Sequence, residues 1–74
     1  MKFVIKHEIR GRLRIHLYQR EMSIRQADLL QYYLCIQTGV CEVKIYERTA
    51  DAVIYHDGKR EEILKALCRF SYGD

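Results

Sequence analysis

The sequence predicts an α+β sandwich, a four-stranded antiparallel sheet with two helices on one face, in the order strand-strand-helix-strand-strand-helix. Three observations carry this. Residues 2–18 alternate in hydropathy with period two, the period of a strand. Ser23, followed three residues later by Gln26, opens a stretch with helical spacing, the signature of a capping box. Asp57-Gly58 separates two further β-rich runs from a closing amphipathic segment.

Size bounds the rest. A chain of 74 residues makes one domain, 1–74, with a thin core, since about 60% of the unfolded surface is buried at this length. Hydrophobic residues make up 49% of it, which marks a globular chain rather than a disordered one. No apolar run approaches the ~20 residues of a membrane span. The opening Met-Lys-Phe-Val-Ile-Lys-His is broken by charge and does not read as a secretory signal. Three widely spaced cysteines, Cys35, Cys41 and Cys68, argue against a disulfide framework and for a reducing, cytoplasmic setting. The net charge is +3, but residues 1–20 hold six Lys/Arg against Glu8 alone, while the remainder holds seven against nine acids.

Each element follows in order. In the first seventeen-residue alternation the odd positions are Phe3, Ile5, His7, Ile9, Gly11, Leu13, Ile15 and Leu17. A single strand of that length is rare, and Gly11 offers the break. A hairpin centred on Gly11 sets Ile9 against Leu13, His7 against Ile15 and Ile5 against Leu17, with all the apolar residues on one side. A two-residue Arg10-Gly11 turn would set Ile9 against Arg12 and mix the faces, so a loop of three to five residues is expected between strands 2–8 and 12–18.

The first helix starts at the Ser23 cap and ends at Thr38-Gly39. Ala27, Leu30 and Leu34, flanked by Ile24, form its core stripe, and Leu29, Tyr32, Tyr33 and Ile36 a second stripe more than 100° away. Val40–Tyr46 and Ala50–His56 are strands joined at Glu47-Arg48-Thr49. Asp57-Gly58 is a turn and candidate cap. Lys59–Phe70 is a helix with Ile63, Ala66, Leu67 and Phe70 inward, and with Glu61 and Glu62 in the first turn, where the helix dipole favours acids.

The run Gly39-Val40-x-x-Val43-x-Ile45, followed by Ala52-x-Ile54 and Asp57-Gly58, resembles the second half of heavy-metal-associated domains. The opening His7-x-x-x-Gly11-Arg12-Leu13-Arg14 resembles a divergent branch of them, with Arg10 in place of a proline. These are ferredoxin-like βαββαβ modules at the N-termini of copper- and other heavy-metal-translocating P-type ATPases. The resemblance implies a ferredoxin-like sandwich in the permuted order ββαββα, the first hairpin strand standing in for the family's last. It implies a cytosolic regulatory or docking domain of a cation-transporting pump, with neighbouring pump domains or an acidic membrane surface as partners. A parent pump would hydrolyse ATP; this domain is expected to be neither an enzyme nor a holder of a cofactor. The family's Cys-x-x-Cys loop falls within Tyr18–Ala27, where there is no cysteine, and Ser23 and Gln26 stand near the two thiol positions. The thiolate metal site is therefore expected to be lost.

The remaining candidates weigh as follows. Cys35 and Cys41 are the nearest thing to a metal pair, but C-x5-C across a helix-to-strand junction is not a soft-metal pattern, and free cysteines are expected to pack as small hydrophobes. His7 and His56 are expected to be partly buried. No nucleophile has a recognisable base partner and no glycine-rich loop exists, which leaves no catalytic grouping. Lys2, Lys6, Arg10, Arg12, Arg14 and His16 share the even-numbered side of the hairpin, a basic patch suited to phosphates or simply to water. Nucleic acid is the minor alternative, because the open side of that hairpin carries no Phe or Trp and Tyr18 only at its end. Leu29, Tyr32, Tyr33 and Ile36 are the candidate partner or homodimer surface, unless Tyr33 tucks between the helices.

Overall fold

The computed structural model describes residues 1–73. The elements are β1 (Phe3–Ile9), β2 (Arg12–Leu17), α1 (Ile24–Cys35), β3 (Val40–Tyr46), β4 (Asp51–His56) and α2 (Arg60–Arg69). The strands lie in the order β1-β2-β4-β3, and every neighbouring pair is antiparallel. This is an α+β fold consistent with a ferredoxin-like sandwich, in which β1 occupies the edge beside β2. No helix among the described residues is long and apolar enough to cross a membrane.

Alternation builds the core from the two central strands. Leu13, Ile15 and Leu17 of β2 and Ala52 and Ile54 of β4 are fully buried, with Val43 of β3 beside them. Ala27, Leu30 and Leu34 of α1 and Ile63 and Leu67 of α2 close the layer. Each fully buried Leu or Ile here contributes roughly 1.5–3 kcal/mol of transfer free energy, the main favourable term in a domain this small.

α1 begins as the sequence predicts. The Gln26 amide donates to Ser23 Oγ at 3.1 Å, and the Ser23 amide donates to Gln26 Oε1 at 3.2 Å. The second stripe divides. Leu29 and Tyr33 pack against the core. The Tyr33 hydroxyl donates to the Ala66 carbonyl at 2.7 Å, and its ring lies 4.8 Å from that of Phe70. Tyr32 and Ile36 remain exposed, and so does Ile24, which sits at the first turn of α1 and does not join the core stripe. The chain then folds back so that Tyr72 meets Phe70 edge-on and donates to Gln19 Oε1 at 2.7 Å. Burial there, partly offset by that hydrogen bond, raises the Tyr72 phenol above its usual range. At α2 the cap position falls on Lys59 with no side-chain cap bond, so Asp57 does not serve as a cap.

The first hairpin corrects the expected register. Ile9 does pair with Arg12 across a two-residue Arg10-Gly11 turn. Gly11 takes φ +80° there, a conformation that a side chain would strain, and its carbonyl accepts from the His56 amide at 2.9 Å. Near the turn the faces are mixed, with Ile9 exposed on the open side and Glu8 on the helix side, and a bulge between Ile5 and His7 that inserts Lys6 as an extra residue realigns the rest of β1. Beyond the bulge Ile5 sits opposite Ile15 and Phe3 opposite Leu17, so both return to the helix side, where Phe3 packs against the core and Ile5 stays exposed at the sheet edge. Before it, Glu8 is opposite Leu13, and His7 opposite Arg14. His7 therefore lies on the open side and is exposed, not inward. Glu8, on the helix side, accepts from Arg60 at the start of α2.

Candidate functional site: the open face of the sheet

The side of the sheet away from the helices is a grid set by register. One row reads Val4, His16, Asp51, Tyr46; the next His7, Arg14, Val53, Lys44; the third Ile9, Arg12, Tyr55, Glu42. The bulge adds Lys6 beside the middle row. Cations and aromatics thus interleave on one flat surface.

Asp51 organises the first half of it. Its side chain is 1% exposed, yet it sits on the face opposite the core. Arg14 Nη2 donates to Oδ2 at 2.9 Å, Lys6 Nζ to the same oxygen at 3.2 Å, and His16 Nδ1 lies 2.8 Å from Oδ1. Burial alone would raise the Asp51 carboxyl, but the hydrogen bonds from Arg14, His16 and Lys6 and the Lys6 charge outweigh it and hold the group below its ordinary 3.8. An ionised carboxylate can only accept, so His16 Nδ1 carries the hydrogen. Val53, two residues along β4 from Asp51 on the same face, is buried as well. Its row neighbours Arg14 and Lys44 have long apolar stems that can cover it while their charged heads stay in water.

The second half centres on Tyr55. The Arg12 guanidinium lies 5.9 Å and Lys44 Nζ 5.8 Å from the Tyr55 ring centroid. Arg14 stands 5.3 Å over Tyr46. All three are within cation–π range.

The predicted basic patch is therefore divided. Lys6, Arg14 and His16 converge on Asp51, and Arg14 is ion-paired rather than pointing freely into water. Arg12 joins Tyr55. Arg10 is exposed at the turn and Lys2 at the other end of the hairpin. The cysteines are corrected too: Cys35, Cys41 and Cys68 are free and exposed, not packed as small hydrophobes. Among the described residues no group of three or more His, Cys, Asp or Glu is placed to hold a metal ion. His56 is buried as expected; its Nδ1 accepts from the Gly58 amide at 3.1 Å, and its Nε2 is enclosed with no partner among the described residues.

Sequence reasoning missed Asp51, Tyr46 and Tyr55. The signal was present: Asp51 is the one acid in Ala-Asp-Ala-Val-Ile-Tyr and shares the parity of Tyr55, opposite to that of Ala52 and Ile54. Carrying the open side from the hairpin onto β3 and β4 would also have placed two tyrosines on a face expected to hold none but Tyr18. No family model, no curated protein and no solved structure matches this chain.

Proposed function

We propose that this chain is a regulatory or docking domain associated with a heavy-metal-transporting P-type ATPase, from which the thiolate site has been lost. The observation that carries the reading is the head of α1. At the two places where the resemblance puts metal-binding thiols, Ser23 and Gln26 spend their polar groups on each other's backbone amides as a helix cap. A helix start locked in this way has no soft donor to offer Cu(I) or Zn(II). The sandwich with β1 at the edge beside β2 agrees with the same reading. The domain would then act through its surfaces, not through metal transfer.

The genomic locus tests this. A reading frame that continues, or adjoins one that continues, into membrane helices and an Asp-Lys-Thr-Gly phosphorylation motif is the expected result. A locus without any cation pump contradicts it. An NMR titration of the chain with Cu(I) and Zn(II) checks the second half of the claim. Residues 18–27 should not shift, and shifts clustered on Cys35 and Cys41 would restore a thiolate site.

A further inference from the structure

We propose that the open face of the sheet binds unpaired nucleic acid, with Tyr55 as a base-stacking platform and Arg12 and Lys44 as its phosphate contacts. The inference stands apart from the pump reading, because it rests on the side chains of this face alone.

Three observations lead to it. First, the cations of the face are not equivalent. Lys6, Arg14 and His16 are engaged by Asp51. Arg12 and Lys44 make no side-chain hydrogen bond or ion pair among the described residues, and both lie within 6 Å of one aromatic ring. A cation held beside an aromatic and left without an anion is the pairing a nucleotide satisfies, base on ring and phosphate on cation. Second, a further ring, Tyr46, stands exposed four residues along the same sheet direction, diagonal across β3 and β4. Two platforms four residues apart, about 14 Å at the strand rise, suit non-adjacent bases of an extended strand. Third, among the described residues of these rows Glu42 is the one acid besides the ion-paired Asp51.

Shape decides against the other polyanions. Among the described residues no helix or protruding ribbon rises from this side to enter a duplex groove. An anionic bilayer would use the cations and leave the aromatic pairing without purpose, and Arg12 and Lys44 with Arg10 are too few for stable attachment by charge alone.

The full chain can be tested by fluorescence anisotropy with labelled 12-nucleotide oligouridylate and oligothymidylate, an RNA duplex of equal length, and phosphatidylglycerol vesicles. Both single strands should bind at least about tenfold more tightly than the duplex, and any preference between them separates RNA from DNA as the source. Tyr55→Ala should weaken binding about tenfold with little change in its salt dependence, whereas Tyr55→Phe should bind like the parent. Arg12→Ala and Lys44→Ala should each flatten the logarithmic salt slope by about 0.7. If Tyr55→Ala does not fold, Tyr55→Leu against Tyr55→Phe gives the same comparison. Absence of binding, equal affinity for duplex or vesicles, or a Tyr55→Ala or Tyr55→Leu chain that folds and binds like the parent overturns the proposal.

Discussion

Arg14 reaches diagonally across the β2–β4 ladder to Asp51: its own partner on β4 is Val53, but its Nη2 donates to the Asp51 carboxylate at 2.9 Å. The contact joins a half-buried cation to a fully buried acid on the side of the sheet where no hydrophobic core lies. It explains why three basic side chains can stand so close together. The hairpin is basic in sequence but is folded around an internal anion.

Removing that anion should therefore cost stability, although an acid is being deleted from a face exposed to water. Breaking a buried ion pair from one side costs about 3–5 kcal/mol. The cations here are 34–48% exposed, so solvent screening lowers the expectation to about 2–3 kcal/mol for Asp51→Ala. Urea denaturation checks it. An Asp51→Ala chain as stable as the parent would mean that the three cations do not need their partner.

The bulge makes a sharper statement. Deleting Lys6 leaves the turn, and every pair from Ile9–Arg12 to Phe3–Leu17, in register, since Lys6 is the one residue in excess. The deletion should fold and lose about 1 kcal/mol or less, the worth of a half-exposed ion pair. Deleting Arg14 from β2 instead shifts Leu13 relative to Ile15 and puts apolar residues on the wet side. That chain should not give a cooperative unfolding transition.

At the head of α1, Ser23→Ala should lose about 1 kcal/mol, the usual worth of such a cap. Because Ser23 and Gln26 satisfy each other's amides, the losses from Ser23→Ala and Gln26→Ala should not add. A double-mutant cycle by chemical denaturation reads the coupling, and strict additivity would mean that the box is not formed in solution.

Tyr33→Phe keeps the ring on Phe70 and removes only the donor to the Ala66 carbonyl. The expected loss is about 1 kcal/mol. In a domain of this length that lowers Tm by roughly 4–8 °C. Tyr32→Phe, on the exposed neighbour, should leave Tm unchanged in the same melting experiment.

Much of this architecture was legible before any coordinates. Period-two alternation and the Ser23–Gln26 spacing depend on neighbours in sequence, and the six elements follow from them. The hairpin register was not legible, because a bulge is an agreement between a turn and a distant core. Parity alone ruled out the Arg10-Gly11 turn, and only the inserted Lys6 reconciles that turn with Ile5 facing Ile15. The role of Asp51 was hidden for a similar reason: its partners Lys6, Arg14 and His16 lie at least 35 residues away and meet it only through strand order. Tyr46 and Tyr55 went unread because the open side was followed along one hairpin and not across the sheet.

The most direct test of this account is a carbon-13 NMR titration of the Asp51 side-chain carboxyl in the folded chain. Its pKa is held below the ordinary 3.8, so the stability it supplies is present at neutral and mildly acidic pH and is lost as the pH falls below that value. The predicted midpoint lies below 3.8 and returns toward it in an Arg14→Met chain. A midpoint at or above 3.8 in the parent would show that Lys6, Arg14 and His16 do not converge on this acid, and the open face would have to be drawn again.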